Sequence, residues 1–319
     1  MIWRPDDLRV KGALAAFQEP IDAAPNVWQN HVMTTESTGE KETYTFAGAV
    51  PVPREMVDGR TVQGLIDHKF DVKNKTYEAT WGINREYFED DQTGQITRMF
   101  GEMGEAFANW KDYYFATSIL EGSSVPPIAG ADGWSALTTF FDTAFTVGES
   151  GTMDNLRTST DDPQLAVTDS TMATASEFIG LAMAARKAFL GYKDDKARLF
   201  NTTASQRIRA VIPPGHERGA AEALQATFIA QSSGSQANVW KGMFEYDVLP
   251  YLTGTKVVYW SALGGIRKPY IHQGRDNLEV IVDLDPVHVA ERNSVLVLCR
   301  ERFRIEYGDP RRGLKQTLD

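Results

Sequence analysis

The chain has 319 residues, 42% apolar and 24% charged, with a formal net charge of −10. That composition supports a sizeable core in one to three domains and excludes a disordered chain. The net charge argues against a protein whose main task is gripping phosphates through a basic surface.

A lone cysteine, Cys299, rules out an intrachain disulfide scaffold, and its apolar run Ser294–Cys299 marks it as a small buried hydrophobe. Apolar runs such as Val295–Leu298 are far too short to span a bilayer, and the opening residues carry no secretory signal.

Residues 1–40 read as an extended arm with a short helix, capped by Asp6 or Asp7, running through Leu14 and Phe17 and ending near Pro20. Trp3, Trp28 and Val32 are apolar in a segment with little core of its own, so the arm must lie on another surface. Residues 41–50 suit a strand. Residues 69–84 suit a second, with turn-like Lys73-Asn74-Lys75 in its middle. The proline- and charge-rich stretch between them makes the whole a long protruding hairpin-like loop, entropically costly unless a partner covers it.

The strongest local signal is Thr93–Leu120. Ile96, Met99, Phe100, Met103, Phe107, Trp110, Tyr114 and Thr117 recur at helical spacing, which predicts a helix roughly 40 Å long at 1.5 Å per residue. Asp90, Asp91 or Thr93 is expected to cap its start and Gly122 to end it. Gly101 and Gly104 weaken this helix or admit a close neighbour. Residues 122–170 read as an irregular excursion anchored by Phe140-Phe141. Helices are then predicted at 173–190 and 217–228, and strands at 207–212, 244–252, 256–261, 278–282 and 295–307. The alternation predicts an α+β or mixed α/β fold with a compact portion near 173–270, its last strands returning to the long helix.

Motifs for chemistry do not emerge. The five histidines stand apart, and no zinc, P-loop, dinucleotide or nucleophile-elbow pattern occurs. Glu89-Asp90-Asp91 is read as a helix-end feature in preference to a cation site. Gly215-His216-Glu217-Arg218 is read as a solvated first helical turn, and Arg311-Arg312 as a surface or intersubunit pair. No catalytic residue, cofactor or metal is expected.

Several clustered stretches resemble the major head subunit family of Mu-like phages: Asn74–Thr80, Phe88–Asp91 before Gly94, Glu102–Gly104, Leu120–Gly122, Asp132-Gly133 with Phe140–Asp142, and Val211–Pro214 leading into Glu217–Ala221. Met56 and Thr143-Ala144-Phe145 depart from the family pattern, which has Trp and His-Pro there. The resemblance implies an α+β Hong Kong 97 phage capsid fold. Its parts would be an N-terminal arm (1–40), the E-loop with flanking strands (41–84), a P-domain with spine helix and excursion (85–172), an A-domain (173–275), and return strands with a C-terminal tail (276–319).

It also implies a major capsid protein that self-assembles into the head shell of a tailed phage, without enzymatic activity or a membrane. Expected partners are further copies of itself, portal and separate scaffolding proteins, and packaged double-stranded DNA by non-specific proximity. An acidic wall would repel that polyanion and let it slide. Assembly would take place in the host bacterial cytoplasm. Arg54, Glu55, Asp58, Arg60, Trp3 and Trp28 are the expected intersubunit contacts. The alternatives are an encapsulin-like compartment, another virion protein, or an unrecognised enzyme.

Overall fold

The computed structural model describes residues 8–49, 53, 55–56, 66–84, 86–87, 94–124, 139–202, 207–231, 234–283, 285, 287, 291 and 293–319. Helix α1 (Leu8–Ala23) and the single turn α2 (Trp28–His31) lead into β1 (Val32–Glu36). Strands β2 (Lys41–Ala49), β3 (Ile66–Lys73) and β4 (Lys75–Asn84) follow, then helix α3 (Gln95–Glu121).

Helix α3 is the expected long rod, 27 residues that bury Ile96, Phe100, Gly104, Ala108, Phe115, Ala116 and Ile119. With Asp112 between Ala108 and Phe115, these positions advance mostly by three or four and keep one face inward. The predicted stripe is rotated slightly: Met103, Phe107, Trp110 and Tyr114 flank the buried line, while Met99 stays 43% exposed. The cap position is held by Gly94, whose φ of 72° lies in the left-handed region that glycine tolerates; the expected caps Asp90, Asp91 and Thr93 lie outside the described residues. Gly122 ends the helix as expected, its N–H donating to Ser118 O.

The expected strand 69–84 is two strands in different sheets. Among the described residues β3 pairs only with β2, in a separate antiparallel two-stranded sheet. β4 joins β1, β11 (Tyr270–Asp283) and β12 (Ser294–Tyr307) in the order β1-β11-β12-β4. Along β12 every second residue from Val295 to Tyr307 is buried, the period-two signature of a sheet with one covered face. Val297 and Cys299 on that face meet Ile96 and Phe100 of α3 and Ala13 and Phe17 of α1.

That contact corrects the reading of the arm. Phe17 is 1% exposed and packs on Phe107 of the same chain, ring centres 5.9 Å apart. Residues 8–32 therefore find their apolar home on their own rod and sheet.

A second sheet has the order β5-β13-β10-β6-β9, built from β5 (Leu156–Arg157), β6 (Ile208–Ile212), β9 (Glu245–Val248), β10 (Val257–Ala262) and β13 (Gly313–Thr317). Helices α4 (Ala175–Gly191) and α5 (Glu217–Leu224) cover it through Phe178, Leu181, Ala185 and Ala220 against Trp260 and Val258. A full capping box starts α4: Thr174 accepts from the Glu177 N–H while Glu177 accepts from the Thr174 N–H.

α5 stops four residues short of the expected Phe228, where Asn238 donates to Ala223 O, a carbonyl the last turn leaves open, and to Ala226 O beyond it. Phe228 instead opens the small hairpin β7 (Phe228–Gln231) and β8 (Gly234–Ala237). The expected strand 244–252 breaks at Pro250, which lacks a donor and starts a 3-10 turn.

The C-terminal stretch differs most. Its last strands are expected to return to the long helix, with a tail beyond them. β12 does so, but β13 lies inside the second sheet between β10 and β5. In the excursion, Phe140 and Phe141 are buried as anchors, with Phe140 stacked on Tyr307 at 4.5 Å. Asn155 holds the same loop by donating to Phe140 O and Pro310 O.

Candidate functional site

The β2–β3 hairpin forms a two-stranded sheet apart from the two larger sheets. Its base, however, is tightly held. Asn74, the residue that parts β3 from β4, donates from its side-chain amide to Ser37 Oγ at 2.8 Å and Gly39 O at 3.0 Å. Gln273 on β11 donates to Asn74 Oδ1 and to Val72 O. Glu42 accepts from the Thr38 and Gly39 amides and from Ser37 Oγ, bonds that hold its carboxyl below the ordinary range. Tyr44 Oη donates to Gln273 Oε1, and Val72 and Ile271 close an apolar plug beneath. With Ser37, Asn74 and Gln273 buried at its centre, this clamp fixes the angle at which the hairpin leaves the sheet.

Of the expected contact residues, Glu55 is exposed, as is its neighbour Met56 at 67%. Arg54, Asp58, Arg60 and Trp3 lie outside the described residues. Trp28 is a correction. It is 5% exposed, its ring centre lies 4.5 Å from that of the tilted His272 ring, and its backbone N–H donates to the buried Asp112 of α3 at 2.9 Å. Its surface is consumed within the chain, so it has little left for a neighbour.

Polar constellations that the sequence reading passed over lie beneath these surfaces. His31 is wholly buried, with Nδ1 2.8 Å from Ser261 Oγ and Nε2 3.1 Å from Asp247 Oδ2. This orders a hydroxyl, an imidazole and a carboxylate in line, the arrangement that activates a nucleophile. Ser261, however, is paired on both sides near the end of β10 at 0% exposure, out of reach of any substrate. The line works as a tether joining α2 to the second sheet. Burial lowers the His31 pKa against the pull of Asp247, and Asp247 also takes two bonds from Arg209.

His216 and Arg311-Arg312 are likewise corrected. His216 is 0% exposed and its Nδ1 accepts from the Ala173 N–H, because Pro213–Pro214 turns it inward ahead of α5. Arg311 is 0% and Arg312 7% exposed. A 3-10 turn at Pro310–Arg312, capped by Asp309, aims both guanidiniums into the body of the chain. Cys299 is buried as expected, its thiol pushed up to about 12 by burial, which makes it inert. Among the described residues no group of His, Cys, Asp and Glu is placed to hold a metal ion.

His272 yields a measurable consequence. Burial, helped by Lys111, brings its pKa down to about 4 from 6.5, and neither ring nitrogen has a hydrogen-bond partner. Between those values the unfolded chain binds the proton and the folded chain does not, so acidification favours unfolding. The expected cost is about 2 kcal/mol between pH 7 and pH 5. In urea titrations at both pH values, His272→Phe should lose that much less than the wild type; equal losses would contradict the assignment.

Comparison with known proteins sets these features in context. The family model of the Mu-like prophage major head subunit gpT matches residues 8–175. The major capsid protein of Escherichia phage Mu is 32% identical over 124 residues, 39% of this chain and 37% of the phage protein. The FluMu prophage major head subunit of Haemophilus influenzae is 26% identical over 132 residues, 41% of each chain. The matches thus span about two-fifths of those relatives.

The fold is similar to the capsid of the cyanophage P-SCSP1u (TM-score 0.57, 12% identity, 93% of this chain and 89% of that one). It is similar to the procapsid of bacteriophage JBD30 (0.52, 17%, 97% and 74%) and to a virus-like particle from Pyrococcus furiosus (0.56, 12%, 98% and 100%). The architecture is therefore the α+β, Hong Kong 97-like fold of phage capsid proteins. With more than half of its length matched by that one family model, the chain belongs to the Mu-like prophage major head subunit gpT family.

Proposed function

We propose that the chain is the major capsid subunit of a tailed phage or prophage, assembling with copies of itself into the head shell. The observation that carries this reading is the β2–β3 hairpin, which pairs with no other strand among the described residues. An isolated two-stranded ribbon is marginal in water, and among the described residues no further strand pairs with its outer edges. A rigid clamp at its base and edges open to a further strand suit a strap laid over an adjacent copy.

In this reading the hairpin is the E-loop, α3 with the β1-β11-β12-β4 sheet forms the P-domain, and the α4–α5 sheet forms the A-domain. β13 then counts with the A-domain, and residues 8–32 act as an internal brace of the P-domain. Arg54, Glu55, Asp58 and Arg60 supply the strap's intersubunit polar contacts, setting register more than affinity. A portal, a separate scaffold and packaged DNA complete the set of partners, with assembly in the host cytoplasm. An encapsulin-like compartment has the same fold; the family match favours the phage head.

Electron microscopy of the purified chain tests the proposal, shells or capsomers being the expected result. A compact monodisperse monomer at high concentration would overturn it. Arg60→Glu should hinder shell formation while circular dichroism shows a folded subunit, and normal shells from that variant would remove Arg60 from the interface.

A further inference from the structure

Phe200 lies within a cluster of three arginines. The guanidiniums of Arg311, Arg312 and Arg267 stand 3.8, 4.6 and 5.6 Å from its ring centre. Two carboxylates face them. Asp309 takes both a backbone-proximal and a terminal bond from Arg311, each at 3.0 Å, and a contact from Arg267 at 3.3 Å. Asp195 approaches Arg311 at 3.7 Å.

The cations outnumber these carboxylates, and Arg312 is the one left over. It is 7% exposed, yet its Nε and Nη1 are enclosed without an acceptor. Asn201 Oδ1 is also buried without a donor in the same surroundings, its amide being bonded to Arg311 O. Burial pushes the Arg312 guanidinium down to about 10, although Asp309 pulls the other way.

A buried guanidinium whose donors find no acceptor is costly, and arginine held on an aromatic face is suited to meeting an oxyanion with those donors. The covering loop shares this character. Gly265 lies flat on Arg312, where an added Cβ would come within 2.8 Å of Nη2. The next residues are Ile266, 93% exposed, and then Arg267 and Lys268. Burial lowers the Lys268 pKa, and Arg207 lowers it further. On a chain of net charge −10 this is a local concentration of positive charge with an unmet demand for an anion.

We propose that Arg312, with Arg267 at its rim and Phe200 as its floor, forms a binding site for a single oxyanion that enters beneath the 263–268 loop. In the dispersed chain the oxyanion is an inorganic one such as phosphate. In an assembly the same chemistry comes from a carboxylate of a neighbouring copy. Loop movement about Gly264-Gly265 opens the way in.

Thermal unfolding of the full chain in inorganic phosphate, against chloride at matched ionic strength, tests the site. The dispersed wild type should gain roughly 3–6 °C at about 50 mM phosphate, saturably. Arg312→Gln and Arg267→Gln should each reduce that gain at least about threefold. If Arg312→Gln does not fold, Arg267→Gln decides the matter alone. A phosphate gain in dispersed chains that vanishes in assembled shells supports the site and identifies the neighbour's carboxylate as its occupant there; a gain that persists in shells supports the inorganic source. No gain over chloride, or an equal gain in the wild type and in Arg267→Gln, overturns the proposal. The measurement on dispersed chains is independent of whether shells form.

Discussion

Gly104→Ala is expected to destabilise the chain by about 2–3 kcal/mol, where the same change on an ordinary helix surface would stabilise it by up to about 1 kcal/mol. The reversal comes from the crossing of α1 over α3. A Cβ on Gly104 would sit 2.1 Å from the backbone carbonyl oxygen of Phe17, an overlap that no side-chain rotation relieves. Either α1 lifts off the rod or the rod bends, and both loosen the contacts of Phe17 and Ala13 with Ile96, Phe100 and Val297.

Gly101 supplies the control, three residues earlier on the same helix. Its Cβ would meet only Ala16 O, at an ordinary 3.7 Å, so Gly101→Ala should be neutral or stabilising. Urea denaturation of the two variants, with limited proteolysis to report on α1, separates the outcomes. If both variants prove equally stable, α1 does not dock where the structure puts it.

The pair also shows what the sequence made legible. Gly101 and Gly104 read as a weakness or a place of close approach, and the second reading holds at Gly104; what approaches is the chain's own arm. The rod, the hairpin and the helix–sheet alternation were visible because each rests on local periodicity or on turn residues. The buried polar groups were not, because their partners are remote.

Asp112 lies in the inward line of α3, and only the turn at Trp28, 84 positions earlier, explains it. β13 reads as polar through Lys315 and Gln316. Yet Lys315 Nζ reaches the last turn of α3 at Leu120 O, and Gln316 bridges Trp260 Nε1 and Leu181 O. A basic pair near a chain end suggests a solvated surface; Asp309-Pro310 before Arg311-Arg312, a cap followed by a turn former, was the one local sign otherwise.

The heaviest consequence of that turn falls on Asp309. Asp309→Ala should cost about 3–5 kcal/mol, the range for removing one member of a buried ion pair. The carboxylate is 0% exposed, accepts the Arg311 backbone N–H that starts the turn, and is the main counter-charge for Arg311 and Arg267. Burial alone would raise its pKa, but the surrounding arginines hold it at about 2.

The sign of the linkage follows. Stability from a carboxyl depressed below 3.8 is present above that pH and is lost as the pH falls toward 2, about 2 kcal/mol in all. That window lies below the one in which His272 titrates, so the two acid limbs are separable in one titration. Asp309→Asn, which keeps the shape and a capping oxygen, should flatten the limb below pH 4 and leave the one between pH 4 and 6.5 intact. A combined Asp309→Leu and Arg311→Met chain should recover only part of the loss, because it removes one buried pair together but leaves Arg267 and Asp195 without those partners. If Asp309→Ala unfolds no more readily than the wild type, the arginines have enough counter-charge elsewhere, and β13 is held in its sheet by strand pairing and apolar contact alone.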